Sequence, residues 1–296
     1  MIGIRLVILA VVFIEECCLL FCLAAQQKLK PEIRTASPSL SIFKEVADQV
    51  GLKFQHYNGM TGRFYLPEIT GSGGALFDFD NDGDLDVFLV QGNVFEPNTK
   101  AAGTLFPWTS SESPRGKLFR NDLVVSKGSS RTFSFADVTE KSGIVATGYG
   151  MGVAVGDINN DGLPDLYLSN LGSNQMFLNK GEGKFTDVTK ETGTDDPRWS
   201  TSAAFFDYDR DGWLDLMIVN YADFSVTNSP NCYAATTAKD YCTPRVFRAP
   251  GNRLFHNKGN GAFEDVTVAA SVDKEFGHGL GVVTADFDDD GWIDIY

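Results

Sequence analysis

Short apolar runs recur along the chain, and each is followed by an acidic segment and then by a second apolar run. The runs that precede the acidic segments are GSGGALF, GMGVAVG, STSAAFF and GLGVVTA. The runs that follow the first three acidic segments are VFLVQGN, LYLSNLG and LMIVNYA. The second runs alternate apolar and polar positions, which is the period of a half-buried β-strand. Each unit therefore predicts two strands joined by an acidic loop.

A second motif follows each unit and predicts two more strands. Its copies are LFRN…FSFADVTEKSG at 118–143, MFLNKGEGKFTDVTKETG at 176–193 and LFHNKGNGAFEDVTVAAS at 254–271. In the last two copies the glycine-containing NKGxG joint indicates a hairpin turn. Four strands in a unit of about 50 residues are typical of a β-propeller blade.

The spacing of the acidic segments predicts how the blades are arranged along the chain. The segments begin 79, 50 and 79 residues apart, so we expect insertions around residues 93–117 and 222–250, between the second and third strands of their blades. The half-motif IFKEVADQVG at 42–51 predicts an outer strand that closes the ring, and the fourth unit reaches only IY. We therefore expect an all-β propeller of which this chain is an incomplete fragment, with three blades, the start of a fourth and an orphan closing strand.

The first 25 residues have the composition of an export signal. Arg5 precedes a mostly apolar stretch, and the small residues of CLAA suit cleavage. Two glutamates interrupt the stretch, which disfavours a permanent membrane-spanning helix. We expect a signal peptide over 1–25, a linker over 26–40 and the propeller over 41–296. The protein would then be secreted, periplasmic or on the cell surface; an uncleaved anchor or a lipid-modified cysteine is the alternative, and only an anchor would bring it to a membrane.

Two cysteines, Cys232 and Cys242, lie beyond this signal, and both fall in the second insertion. Two cysteines in one long loop of an exported protein favour a disulfide. Two free thiols are the alternative. A disulfide would staple an insertion that has little core of its own.

The net charge of −14 argues against nucleic acid and anionic membrane surfaces as partners. Much of this charge lies in the four acidic loops, which match D-x-[DN]-x-D-G-x-x-D. Side chains at positions 1, 3, 5 and 9, with the carbonyl at position 7, can surround one hard cation, and glycine at position 6 allows the sharp turn. Oxygen-only ligands in this number favour Ca²⁺ over Zn²⁺ or Cu²⁺, while Mg²⁺ retains more water.

The predicted Ca²⁺ ligands occupy the same five positions in every loop, with the position-7 residue acting through its carbonyl. They are Asp78, Asp80, Asp82, Asp84 and Asp86 in loop 1; Asp157, Asn159, Asp161, Leu163 and Asp165 in loop 2; Asp207, Asp209, Asp211, Trp213 and Asp215 in loop 3; and Asp286, Asp288, Asp290, Trp292 and Asp294 in loop 4. An EF-hand is rejected because its loop needs glutamate at position 12, where loops 1 to 3 have Leu89, Leu168 and Ile218. The alternative is an acidic turn that binds no metal, and the presence of four copies of the motif with the same spacing argues against it.

Over residues 41–296 the repeats resemble a known family. The segments GSGGALFDFDNDGDLDVFLVQGN, LFRNDL…FADVTEKSGI and GLGVVTADFDDDGWIDIY are similar to the FG-GAP/VCBS-type repeats of the ASPIC/UnbV and cartilage-acidic-protein group. More distantly they resemble the N-terminal propeller of integrin α subunits. The resemblance implies a propeller of about seven blades when complete, with Ca²⁺ in hairpin loops on one face.

These observations favour a non-enzymatic, exported Ca²⁺-binding propeller used for adhesion or for binding an unidentified protein or glycan partner. The chain has no nucleophile motif, no histidine cluster and no phosphate-binding loop. A lyase-like enzyme acting on polysaccharide is one alternative. Its candidate residues are His56, Arg63, Tyr65 and Glu68 in HYNGMTGRFYLPE. An accessory protein for assembly is the other alternative.

Overall fold

The apolar runs form short antiparallel strands. The computed structural model describes residues 43–95, 99–125, 131–274 and 277–296, and the regular structure in them is nearly all β. In chain order the strands are β1 (Gly74–Phe77), β2 (Asp86–Leu89), β3 (Lys117–Asn121), β4 (Val124–Val125), β5 (Arg131–Thr132), β6 (Phe135–Asp137), β7 (Tyr149–Gly156), β8 (Asp165–Leu171), β9 (Gln175–Asn179), β10 (Phe185–Asp187), β11 (Ser200–Phe206), β12 (Asp215–Asn220), β13 (Cys232–Tyr233), β14 (Lys239–Asp240), β15 (Arg253–Asn257), β16 (Phe263–Asp265), β17 (Thr284–Ala285) and β18 (Asp294–Ile295).

Helical structure in the described residues is limited to short turns. The α-helical turns are α1 (Thr139–Ser142) and α2 (Thr189–Thr192), and the 3₁₀ turns are Leu66–Ile69, Ala101–Gly103, Pro244–Val246 and Val272–Lys274. None of the helices in the described residues has the length and apolar composition needed to cross a bilayer. The expected signal peptide (1–25) and linker (26–40) lie outside the described residues. All eighteen strands lie in one of the two compact units of the chain, Val46–Tyr296.

Three four-stranded antiparallel sheets form the blades. Blade 1 has the order β1-β2-β3-β6, blade 2 has β7-β8-β9-β10, and blade 3 has β11-β12-β15-β16. The pair β17–β18 repeats the first two strands of a blade, while β4–β5 and β13–β14 are separate two-stranded ribbons. Each blade is a simple up-and-down meander, and the prediction of an all-β, propeller-type fold is confirmed.

The cores lie between neighbouring blades, as strand β8 shows. Leu166 and Leu168 belong to the apolar cluster shared with blade 1, and Tyr167 between them belongs to the cluster shared with blade 3. All three side chains are at most 2% exposed. Successive side chains of a strand point to opposite faces, so a strand that is buried on both faces serves two cores at once.

The insertions fall where the spacing predicted them. The first separates β2 from β3 after Leu89, and the second separates β12 from β15 after Asn220. Their apolar residues form a separate cluster, which includes Tyr149 at the start of β7 and Trp199 just before β11. The acidic loops join the first and second strands of each blade, so they lie at the opposite ends of the same strands.

The predicted closing strand at 42–51 was wrong. Within the described residues 43–51 the backbone forms a turn, in which the N–H of Val50 donates to the carbonyl of Val46 at 3.0 Å. The reason lies in the motif, because EVADQVG aligns with DVTEKSG, whose TEKS is the helical turn α1 after the outer strand. Both turns end at a glycine with left-handed φ, 90° at Gly51 and 79° at Gly143.

Candidate metal centres

The four acidic loops have the same backbone conformation. Position 6 is left-handed throughout, with φ of 92° at Gly83, 83° at Gly162, 89° at Gly212 and 86° at Gly291. Position 4 is left-handed as well, with φ of 58° at Asn81, 55° at Asn160, 64° at Arg210 and 62° at Asp289. Glycine takes such angles without steric cost, and asparagine and aspartate tolerate them. This second turn position was not predicted from the sequence, although asparagine at position 4 in two of the loops was a signal for it.

The carboxylate at position 1 closes each loop onto its own backbone. In loop 1, Asp78 Oδ1 accepts the N–H of Asp82 at 3.0 Å, and Asp78 Oδ2 accepts the N–H of Gly83 at 2.8 Å. Asp82 in turn accepts the N–H of Asp84 at 2.9 Å. Loops 2, 3 and 4 repeat all three bonds at the equivalent positions. These bonds fix the backbone of each loop and, with it, the positions of the aspartates at positions 1 and 5.

The aspartate at position 9 has a structural role that its sequence pattern did not reveal. Asp86 is fully buried, and its two oxygens accept the N–H of Phe79 in the same loop at 3.0 Å and the N–H of Asn121 on β3 at 2.8 Å. Asp165 and Asp215 make the same pair of bonds in blades 2 and 3. Each of these carboxylates therefore ties its loop to the third strand of its own blade.

Burial shifts the pKa values of these carboxyl groups upwards. Burial raises the pKa of Asp86 to about 6 and that of Asp165 to about 7, although the N–H donors oppose the shift. Burial also raises the pKa of Asp80, and the charges of Asp82 and Asp78 raise it further. Carboxylates in this state gain stability from a bound cation, because a cation favours the ionised form.

In loops 1, 3 and 4, three of the four side chains that the motif predicted as ligands lie close together. Carboxylate oxygens of Asp78, Asp80 and Asp86 lie within 4.8 Å of one another. The position 1, 3 and 5 aspartates of loops 3 and 4 do the same, in the sets Asp207–Asp209–Asp211 and Asp286–Asp288–Asp290. In loop 2 the position-3 residue is Asn159, whose amide donates to Asp161 at 2.9 Å.

The donor set of loop 1 fits a hard cation. All of its ligand atoms are oxygens, the type that Ca²⁺ requires. Asp80 Oδ1 is buried and has no hydrogen-bond partner among the described residues. A buried carboxylate oxygen without a donor is unfavourable unless an ion completes its surroundings.

The third strand of each blade adds a different side chain beside its loop. The equivalent residues are Arg120, Leu178 and His256 in the motifs LFRN, MFLN and LFHN. His256 Nδ1 lies 3.4 Å from Asp209 Oδ2 and 3.2 Å from Asp215 Oδ1. His256 occupies the position of Arg120 in the aligned motifs, and this alignment was the signal in the sequence that both residues lie beside equivalent loops.

Neighbouring loops are linked to one another by asparagine side chains. Asn81 at position 4 of loop 1 donates to the carbonyl of Gly162 in loop 2 at 3.0 Å. Asn160 makes the equivalent bond from loop 2 to loop 3 at 2.9 Å. Asn179 of blade 2 also donates to the carbonyl of Phe79 in loop 1 at 2.8 Å. Loops 1, 2 and 3 are therefore joined in one hydrogen-bonded row.

The predicted disulfide and the residues of the lyase-like set lie outside the acidic loops. Cys232 and Cys242 form a disulfide, with their Cα atoms 5.2 Å apart, as we expected. Glu68, the carboxylate of the lyase-like set, is buried, and its oxygens accept hydrogen bonds from Thr61 and Tyr241. Of the same set, Tyr65 is buried, while His56 and Arg63 are exposed.

The meander blades, with an acidic loop of the same backbone conformation in each, define an FG-GAP-like repeat protein. The family model described as FG-GAP-like repeat matches residues 78–168, 157–218 and 243–296, which is more than half of the chain. The chain belongs to this family.

The chain is also similar to proteins named Cartilage acidic protein 1. It is 26% identical to the Mus musculus protein, over 60% of this chain and 33% of that protein, and 26% identical to the Homo sapiens protein, over 60% and 32%. The Xenopus tropicalis protein is 26% identical over 49% of this chain and 28% of its own length. The chain thus spans about a third of the length of the curated relatives it matches.

Proposed function

We propose that the chain is an exported, non-enzymatic propeller that binds Ca²⁺ in its acidic loops and serves adhesion or the binding of a protein or glycan partner. The observation that carries the proposal is Asp80, whose buried Oδ1 has no hydrogen-bond partner in the described part of the chain, while oxygens of Asp78 and Asp86 lie within 4.8 Å. Repulsion among such carboxylates would be relieved by one divalent cation.

The side chains at positions 1, 3, 5 and 9, with the carbonyl at position 7, would hold the ion in each loop. Bound Ca²⁺ supplies positive charge and a rigid link, because position 9 is already tied to the third strand. It would also stabilise the folded state by mass action. The proposal that the chain is exported rests on two features. The first 25 residues are mostly apolar, and the disulfide is typical of oxidising compartments.

The non-enzymatic role is favoured by the state of Glu68. A general base needs a carboxylate that can reach a substrate proton. Glu68 is 1% exposed, and both of its oxygens already accept hydrogen bonds within the chain. This arrangement suits a structural carboxylate that holds the loop around Thr61.

The test is calorimetric titration of the full chain with Ca²⁺, and separately with Mg²⁺ and Zn²⁺, after treatment with a chelator. We expect several Ca²⁺ sites with dissociation constants of roughly 1 µM to 1 mM. Asp80→Asn should lose one site. The matched control is Asp289→Asn, which removes one carboxylate at position 4 of an acidic loop, where no ligand is predicted, and should keep every site.

A chelator should also lower the melting temperature of the wild-type chain, and added Ca²⁺ should restore it. Absence of any Ca²⁺ site would refute the proposal, as would tighter binding of Zn²⁺ than of Ca²⁺. Equal losses in Asp80→Asn and Asp289→Asn would show that the general acidity of the loops, and not the geometry around Asp80, attracts the ion.

A further inference from the structure

The sequence contains two asparagine–glycine pairs, Asn58–Gly59 and Asn260–Gly261. In such a pair the backbone nitrogen of glycine can attack the side-chain carbonyl carbon of asparagine, because glycine has no side chain to hinder the approach. Neither pair belongs to the predicted Ca²⁺ ligands. The surroundings of the two pairs differ in the folded chain, and they determine which pair is open to this reaction.

The two pairs share one local conformation. The side-chain oxygen of each asparagine accepts the N–H of the residue two positions later, at 3.2 Å for Asn58 and 3.1 Å for Asn260. The glycine has a left-handed φ in both pairs, 63° at Gly59 and 84° at Gly261. Each bond turns the asparagine side chain back over the chain that follows it and polarises the carbonyl that would be attacked. Local geometry therefore does not distinguish the two pairs.

The first pair is held by contacts with distant segments. Asn58 Nδ2, which would be the leaving group, donates to the carbonyl of Glu68 at 2.7 Å, and the carbonyl of Asn58 accepts the hydroxyl of Tyr149 at 2.8 Å. Gly59 is buried, and a Cβ built on it would lie 2.2 Å from the carbonyl oxygen of Asn93. Closing a ring here would break these bonds and move a tightly packed backbone, so this pair is protected.

The second pair has no such restraint. Asn260 and Gly261 are both exposed, in the turn that joins β15 to β16. Among the described residues, neither the Nδ2 group of Asn260 nor the N–H of Gly261 has an acceptor. A Cβ built on Gly261 would meet nothing within 4 Å. The leaving group, the attacking nitrogen and the surrounding space are therefore all free, and water reaches the site.

The aspartate–glycine pairs of the acidic loops are also restrained. Their glycines at position 6 donate the backbone N–H to the position-1 carboxylate, at 2.8 Å in loops 1 and 2, 3.0 Å in loop 3 and 2.7 Å in loop 4. The nitrogen that would attack is thus already fixed by a hydrogen bond. Among these pairs, Asn260–Gly261 is the one whose reacting groups are free.

We propose that Asn260 is a site of spontaneous deamidation. The nitrogen of Gly261 bonds to Cγ of Asn260, and the Nδ2 group leaves as ammonia with the proton of that nitrogen. Water then opens the cyclic imide at one of its two carbonyls. Opening at Cγ gives aspartate, and opening at the backbone carbonyl gives isoaspartate, which has an additional carbon in the backbone. Water is the only co-reactant, and no oxidation or reduction takes place.

The modification would add a negative charge beside loop 3. A Cβ built on Gly259 would lie 2.7 Å from the ring of Trp213, so the turn packs on position 7 of that loop. Blade 2 already has a carboxylate at the equivalent place, since Glu182 in NKGEG aligns with Asn260 in NKGNG. The aspartate product therefore resembles a turn that this fold contains, whereas isoaspartate lengthens the backbone of the turn. The inference is independent of the proposed Ca²⁺ function.

The test is peptide mapping by mass spectrometry after incubation of the full chain at mildly alkaline pH, in buffer and in guanidinium chloride. Trypsin releases residues 54–63 and 259–274, and each peptide contains a single asparagine, so the conversion of amide to acid is assigned to one site. In the folded chain Asn260 should react at least about tenfold faster than Asn58, which must first lose its hydrogen bonds. In guanidinium chloride the two rates should be similar.

Asn260→Gln is the control variant, because its longer side chain keeps the amide but closes the ring far more slowly. Its 259–274 peptide should keep its mass. The proposal is overturned if Asn260 reacts no faster than Asn58 in the folded chain, or if folding protects both asparagines equally relative to guanidinium chloride. A mass gain in the 259–274 peptide of Asn260→Gln at the wild-type rate would also overturn it, since the reaction would then lie elsewhere.

Discussion

Replacing Asp165 with alanine should destabilise the metal-free protein, because this carboxylate ties loop 2 to the third strand of blade 2. Asp165 is fully buried and accepts the N–H of Ile158 at 2.9 Å and the N–H of Asn179 at 2.7 Å. The substitution leaves both N–H groups without an acceptor, at a cost of about 1–3 kcal/mol each. Relief of the buried charge offsets part of this cost. We therefore expect a loss of about 3 kcal/mol in the free energy of unfolding.

Asp161→Ala is the matched control. It removes one carboxylate from the same loop, but Asp161 is exposed, and its oxygens accept the N–H of Leu163 and the side-chain amide of Asn159, each at 2.9 Å. Water can replace these exposed bonds, so the loss should stay below about 0.5–1 kcal/mol. Both variants should lose the Ca²⁺ site of loop 2, since both residues are predicted ligands.

The assay is urea unfolding of the full chain in the presence of a chelator, followed by tryptophan fluorescence. The midpoint and slope give the free energy of unfolding for each variant. A large loss for Asp165→Ala with a small loss for Asp161→Ala would support a structural role at position 9. Equal losses in the chelated state would refute the reasoning, because the buried bonds would then contribute no more than an exposed one.

Three further predictions concern pH, contacts between loops and the second insertion. Burial raises the pKa of Asp165 to about 7, so protons compete with the cation for this carboxylate below that pH. Calorimetry should therefore show that the Ca²⁺ affinity of loop 2 falls between about pH 8 and about pH 6. A constant affinity would contradict this prediction. Asn81→Ala removes the bond to Gly162 and should lower the free energy of unfolding, measured in urea, by about 0.5–1.5 kcal/mol; no change would mean that the link between the loops is not stabilising. Replacing Cys232 and Cys242 together with serine should cost about 2–3 kcal/mol, and a reductant should lower the urea midpoint of the wild type but not of the variant.

The loops and strands could be predicted because their determinants are close together in the sequence. Asp78, Asp82 and Gly83 lie within six residues, and the bonds between them are local. Alternating apolar positions likewise specify strands without knowledge of the partner strand. The prediction of a strand at 42–51 was wrong because most of this short motif copy aligns with the helical turn that follows the outer strand of a blade.

The amino-acid sequence by itself therefore determined the repeated strand–loop–strand units, the acidic loops between their strands and the positions of the insertions. Only the tertiary structure decided that Asp86 is tied to Asn121, 35 residues away, and that His256 lies beside Asp209. It also decided that Arg198 and Trp199 line one cavity with Phe95. Such contacts join distant segments, and they depend on how the blades pack, which no short stretch of residues specifies alone.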